Sequence, residues 1–210
     1  MKVLNLYAGI GGNRKLWEDV EVTAVEYDPK IAAIYQDFFP NDTVIIADAH
    51  QYLLDHFKEF EFIWSSPPCP THSRMNNLSN IQEGKSVKYP DMKLYEEIIY
   101  LRHWFAGKFC VENVISYYEP LIRPIESNSH YFWTNFNIPK FPNEKRGIRG
   151  EDREYRKNKI NFDVDKFDIP QYLKTKVIAN CVEPEIALAI LDCARGIIRA
   201  NNSQQQVLDL

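Results

Sequence analysis

Apolar and polar positions alternate along the first half of this chain in a repeating order of strand, turn and helix. Val3-Leu4-Asn5-Leu6-Tyr7 is an apolar run suited to a buried strand, and it ends in the turn Ala8-Gly9-Ile10-Gly11-Gly12, with a helix-like segment expected from about Asn13. Val22-Thr23-Ala24-Val25 is a second strand that ends in Glu26-Tyr27-Asp28-Pro29, and Thr43-Val44-Ile45-Ile46 is a third that ends in Ala47-Asp48-Ala49. A further apolar strand runs into Ser65-Ser66-Pro67-Pro68-Cys69-Pro70, and Phe109-Cys110-Val111 runs into Glu112-Asn113-Val114. Between these last two, Asp91 to Phe105 reads as an amphipathic helix with Leu94, Ile98, Leu101 and Phe105 on one side. Tyr131-Phe132-Trp133 is an aromatic strand, and Glu183 to Ala200 reads as the last helix. Strands alternating with helices predict an α/β fold, a mostly parallel sheet with helices on both faces, and a ligand site at the strands' C-terminal ends.

The turns at those ends carry the candidate chemistry. A glycine turn after the first strand lets backbone approach a ligand closely, and an acid at the end of the second sits where a ribose is held. Glu26 takes that role, because Asp28 before Pro29 is explained as a helix N-cap. Asp48 either accepts from an adenine amino group or caps the helix that follows. Cys69 sits on a proline-stiffened loop. Alone it reads equally as a small buried hydrophobe.

Taken together and in this order, the Gly9–Gly12 loop, Glu26, Asp48, Pro67-Pro68-Cys69-Pro70, Glu112-Asn113-Val114 and Ala179-Asn180-Cys181-Val182 resemble the DNA cytosine C5-methyltransferases. The resemblance implies a Rossmann-like S-adenosylmethionine-dependent fold and an enzyme that methylates carbon 5 of cytosine in DNA. Carbon 5 is a poor nucleophile, so a thiolate must add to carbon 6 while a carboxyl group relieves charge at ring N3. The resemblance gives these roles to Cys69 and Glu112. It also places Tyr7, Ala8, Gly9, Ile10, Gly11, Gly12, Glu26, Tyr27, Asp48, Ala49, Pro68 and Leu94 along the cofactor, with Asn180, Cys181 and Val182 closing over it. For Tyr7, Tyr27 and Leu94 core packing is the competing reading. Ser73, Arg74 and Asn113 are candidates for nucleic-acid contact. One departure stands out: the family carries two arginines, spaced by one residue, before an aromatic strand, where this chain reads Ser127-Asn128-Ser129-His130. His130, Arg123 and the arginines of a later basic stretch are the candidate substitutes.

Charge changes the picture only once it is localised. The 210 residues are 45% hydrophobic and 26% charged, with a net charge of -4, which suits one α/β domain and looks wrong for a nucleic-acid partner. Between Lys140 and Lys159, however, eight basic residues, Arg146, Arg149 and Arg153 among them, face four acidic ones. This segment lies where the family inserts its target recognition region, and it is short for one. The expected organisation is a catalytic and cofactor domain over 1–139, a small basic insertion over 140–170, the domain's C-terminal part over 171–200 and a polar tail over 201–210. The polar stretch from Thr71 to Pro90 is expected as a mobile lid over an extruded base.

No apolar run reaches the roughly 20 residues of a membrane span, and the N-terminus lacks a signal-peptide pattern, so a cytoplasmic protein is expected. Cys69, Cys110, Cys181 and Cys193 show neither metal-ligand spacing nor a disulfide framework. The expected partners are S-adenosylmethionine, DNA and, as for many family members, a cognate restriction nuclease, with a monomer as the default and no metal. An RNA cytosine methyltransferase and a non-catalytic binding relative are the alternatives.

Overall fold

In the computed structural model, which describes residues 1–84, 86, 89–142 and 158–197, seven strands form one sheet in the order β3-β2-β1-β4-β5-β7-β6. The strands are β1 Lys2–Leu6, β2 Glu21–Glu26, β3 Thr43–Ile46, β4 Phe62–Ser65, β5 Lys108–Val114, β6 Ile125–Ser127 and β7 His130–Thr134. The first five pair in parallel, and β7 enters antiparallel between β5 and β6. The order reverses between β1 and β4, which opens a crevice at their C-terminal ends.

Period-two alternation sorts the side chains into two cores. Leu4, Leu6, Ile63, Phe109, Val111 and Trp133 pack under α2 (Ala49–His56) and α4 (Lys93–Trp104). Val3, Phe62, Trp64, Cys110 and Phe132 point the other way, onto Ile186, Ala187, Ile190 and Leu191 of α6 (Pro184–Arg195). A third cluster joins Ile34 of α1 (Pro29–Phe38) to Leu173, Val177 and Ile178 of α5 (Gln171–Ala179). Asp28 caps α1 by accepting from the Lys30 N–H at 2.8 Å, with Pro29 at the first helical position.

Three expectations need correction. No helix follows the glycine loop; successive turns run to Trp17, because Asn13 leaves the loop to pair reciprocally with buried Asn5 (2.7 and 3.3 Å) and Arg14 turns back onto Asp42 (2.8 Å). The stretch read as a loop holds helix α3, Arg74–Gln82. Its N-cap is Ser73, whose hydroxyl accepts from the Asn76 N–H. The last helix stops at Arg195 rather than running to Ala200, because Gly196 takes φ 72° and ends it with a left-handed cap. The basic residues Arg146, Arg149 and Arg153 and the tail 201–210 lie outside the described residues.

Candidate active site

The glycine loop is shaped by its neighbours. Both Tyr7 (φ 55°) and Gly9 (φ 56°) take left-handed backbone. Glu26, at the end of β2, accepts from the Gly9 N–H and the Asp28 N–H, each at 3.0 Å, and so ties the loop to the next strand. A Cβ added to Gly9 would meet no atom within 4 Å, so open space lies over the loop. Gly11 and Gly12 are different: a Cβ there would come within 2.3 Å of Phe39 and 2.5 Å of Cys181 respectively. Cys181 is thereby packed on the loop itself, and its thiol reaches the Val177 carbonyl at 3.2 Å. Asn180 is exposed beside it and Val182 is buried against the α6 core.

Other nominated residues take structural places. Leu94 (2% exposed) and Ala49 (4%) lie in the core with Ile10 (1%) and Ala8 (6%), whereas Tyr27 is 77% exposed beyond the end of β2. Asp48 caps α2 by accepting from the Gln51 N–H at 3.0 Å, a bond that holds its carboxyl below the usual range. Tyr7 donates to the carboxylate of Glu97 at 2.6 Å. Glu97 is fully buried and also accepts from the Ser65 hydroxyl at 2.6 Å and from His50 Nδ1 at 3.1 Å. This buried hub ties together β1, β4, α2 and α4, and nothing in the spacing of the chain announces it.

Cys69 follows β4 on the Ser66–Pro70 loop, with Pro67 buried and Pro68 exposed. The Cys69 carbonyl accepts from the N–H groups of both His72 and Ser73 at 3.0 Å, a turn that leads into α3. Asn113 fixes the loop from the side. Its amide donates to the Pro67 carbonyl at 2.9 Å and its oxygen accepts from the Val114 N–H at 2.9 Å. At 2% exposure Asn113 faces inward and braces the cysteine loop. Arg74 donates to the Ser116 carbonyl at 2.7 Å, and Ser73 pairs with Ser116 in an isolated bridge, so the base of α3 is docked on the segment after β5.

Glu112 lies on β5, buried, on the face it shares with Cys110. Burial pushes its carboxyl up, opposed by the nearby His130 and by a hydrogen bond with the Ser66 hydroxyl. That hydroxyl oxygen also accepts from the Trp64 indole N–H at 2.9 Å. Burial, and then the charge of Glu112, push the Cys69 thiol up, while Lys176 of α5 pulls it down. The thiol and the carboxyl are therefore electrostatic neighbours, each resisting a negative charge on the other.

His130 begins β7, and its Nε2 stands 3.7 Å from Glu112 Oε1. The two serines at the arginine positions point elsewhere: Ser127 Oγ accepts from the Phe141 N–H at 2.6 Å, and Ser129 (φ 60°) lies in the two-residue turn between β6 and β7. Arg123 lines an open depression with Glu126, Tyr131 and Lys140. Ser66, Glu97 and Lys176 could not have been found from spacing, because each acts across distant parts of the chain.

The parallel sheet with its inserted antiparallel β7, flanked by helices on both faces, is a Rossmann-like fold of the methyltransferase type. Residues 1–117 match the family described as C-5 cytosine-specific DNA methylase, and the chain belongs to that family. Among solved structures it is similar to the Escherichia coli protein yhhF (17% identity, 63% of this chain and 73% of that one, TM-score 0.43). It is also similar to the Entamoeba histolytica methyltransferase EhMeth (13%, 70% and 57%, 0.42) and a variant of Spodoptera frugiperda DNMT2 (24%, 54% and 35%, 0.37). At these TM-scores the likenesses carry no weight for function. No curated protein matches the chain. Among the described residues no helix is long and apolar enough to cross a membrane, and no cluster of side chains could hold a metal ion.

Proposed function

We propose that this chain methylates carbon 5 of cytosine in a nucleic acid, with Cys69 as nucleophile and Glu112 as the acid at ring N3. The observation that carries the reading is the pairing of a partly buried thiol with a buried carboxyl raised by burial, both at the C-terminal ends of adjacent strands, β4 and β5. The open space over Gly9 and the carboxylate of Glu26 fit a nucleoside-bearing cofactor there. S-adenosylmethionine supplies an electrophilic methyl group.

The protein's part is positioning and proton control. Asn113 holds the cysteine loop, Glu112 donates to N3 as the thiolate adds at carbon 6, and Lys176 favours the thiolate. A resting thiol raised by burial and by Glu112 is a weak nucleophile, so the nucleophile becomes competent as Glu112 stays protonated.

DNA is the substrate named by the family description, and Arg146, Arg149 and Arg153 are proposed to neutralise phosphates in a short recognition segment. RNA is a second reading, left open by the extent of the match. It ends at residue 117, before the basic segment, and so leaves the polymer unassigned. Methyl incorporation from labelled S-adenosylmethionine into duplex DNA, single-stranded DNA and tRNA tests both readings. Cys69→Ala is expected to abolish incorporation while cofactor affinity stays within about twofold. Turnover on tRNA alone replaces DNA with RNA, and binding without turnover on any of the three overturns the enzymatic reading.

A further inference from the structure

β1 lies between β2 and β4 as far as Leu6, which is paired with Val25 on one side and Ser65 on the other. At Tyr7 the backbone turns left-handed (φ 55°), and the next two amides bind the β2 side: the Ala8 N–H donates to the Val25 carbonyl and the Gly9 N–H to Glu26, each at 3.0 Å. The glycine loop and the cysteine loop part company here. Left-handed backbone is costly for a residue with a β-carbon, whereas glycine takes it freely. A tyrosine keeps this conformation only where its surroundings fix it.

The Tyr7 hydroxyl supplies the hold, donating to Glu97 Oε1 at 2.6 Å. Burial, and then the charge of Glu97, push that hydroxyl up, so it remains a donor. The same oxygen takes His50 Nδ1 at 3.1 Å, from the first turn of α2 directly after Asp48 and Ala49. Glu97 Oε2 instead takes the hydroxyl of Ser65 at 2.6 Å, and Ser65 ends β4 where the cysteine loop begins. The oxygens of one carboxylate are thus divided, Oε1 holding the cofactor side and Oε2 the cysteine side. At 0% exposure this carboxylate has given up its water, which an apolar residue in the same place would do without cost. What the carboxylate adds over an apolar residue is direction.

We infer that Glu97 is a positioning residue that aims both halves of the site from one carboxylate, the glycine loop through Tyr7 and the cysteine loop through Ser65. The inference deepens the function proposed above and rests on it for the identity of the ligand. It requires separable losses. Without the Tyr7 hydroxyl the turn into the glycine loop is released and cofactor binding weakens, while Oε2 still holds Ser65. Without the Ser65 hydroxyl the cysteine loop is released, while Oε1 still holds Tyr7.

The test is amide hydrogen exchange of the full chain without ligand, read by mass spectrometry, with α6 as the internal reference. In Tyr7→Phe, whose ring keeps its packing on the core, exchange over residues 8–12 is expected to quicken about tenfold while that over residues 66–73 stays within about twofold. Ser65→Ala is expected to show the opposite pattern. Glu97→Leu, which packs without accepting, is expected to quicken both segments; the two hydroxyl variants carry the test by themselves if it does not fold. Unchanged loop exchange in either hydroxyl variant, or an equal rise in α6, overturns the inference, because the carboxylate then only stabilises the fold. Calorimetry with S-adenosylmethionine is expected to give a Kd about tenfold higher in Tyr7→Phe and within about twofold of wild type in Ser65→Ala. In methyl transfer Ser65→Ala is expected to lower kcat with KM for S-adenosylmethionine unchanged. An unchanged Kd in Tyr7→Phe, or equal losses of affinity in both variants, overturns the inference as well. The expected exchange pattern in a wild-type background that binds no S-adenosylmethionine sustains the two-sided clamp and sinks the proposed function instead.

Discussion

Cys69 and Glu112 restrain each other, and that restraint is measurable at single residues. The thiol is raised first by burial and then by the carboxyl, whereas Lys176 lowers it. Alkylation of Cys69 by iodoacetamide, followed by mass spectrometry across pH, is expected to show a midpoint above that of a free cysteine. Glu112→Gln removes a negative neighbour and should lower that midpoint; Lys176→Ala removes a positive one and should raise it. Asn113→Ala leaves the buried Pro67 carbonyl without its donor, at a cost of about 1–3 kcal/mol in a urea melt. If Asn113 aims the cysteine loop, kcat falls in that variant while cofactor binding persists. The resemblance nominates Asn113 for nucleic-acid contact, and nothing in the spacing announces that its amide also holds the Pro67 carbonyl. Only the direction of its amide reveals the brace.

Between elements, the contacts around the glycine loop are the most exacting. Gly12→Ala would set a Cβ 2.5 Å from that of Cys181, at the junction of α5 with the loop, so a cost of about 1–3 kcal/mol is expected in stability. An unchanged melt would mean that this junction has slack. The Glu97 hub predicts a pH dependence. His50 is raised above its ordinary 6.5, first by its hydrogen bond to Glu97. The stability it contributes is therefore full below that ordinary value and is lost as pH rises through the folded value. The difference in urea midpoint between wild type and His50→Gln should accordingly be larger at acid than at alkaline pH, and equal differences would disprove the linkage. Helix α3 belongs to the same scale. Ser73 followed by Arg74-Met75-Asn76 carried an N-cap signal, which the polar composition of the stretch obscured.

For the whole molecule, net charge and binding are separable. The chain is negative overall, while the stretch around Arg146, Arg149 and Arg153 is positive. If each of those arginines neutralises one phosphate, replacing all three by alanine should reduce the slope of log affinity against log salt by about 2–3 units. An unchanged slope would assign the contacts to other residues. The succession of strands along the chain through β5, the turns that end them and the placement of Cys69, Glu26 and Glu112 at strand ends were legible in the sequence, because alternation, turn chemistry and capping are properties of neighbours in the chain, whereas β6 and the order of strands in the sheet were not. The tertiary structure alone decided which of these side chains meet: Asn13 pairs with Asn5 instead of starting a helix, Cys181 packs on Gly12, and Glu97 gathers Tyr7, His50 and Ser65. His130 reaches Glu112 only because β7 runs antiparallel beside β5 and sets Val114 opposite His130. Such contacts join residues far apart in sequence, and local patterning holds no record of the register that brings them together.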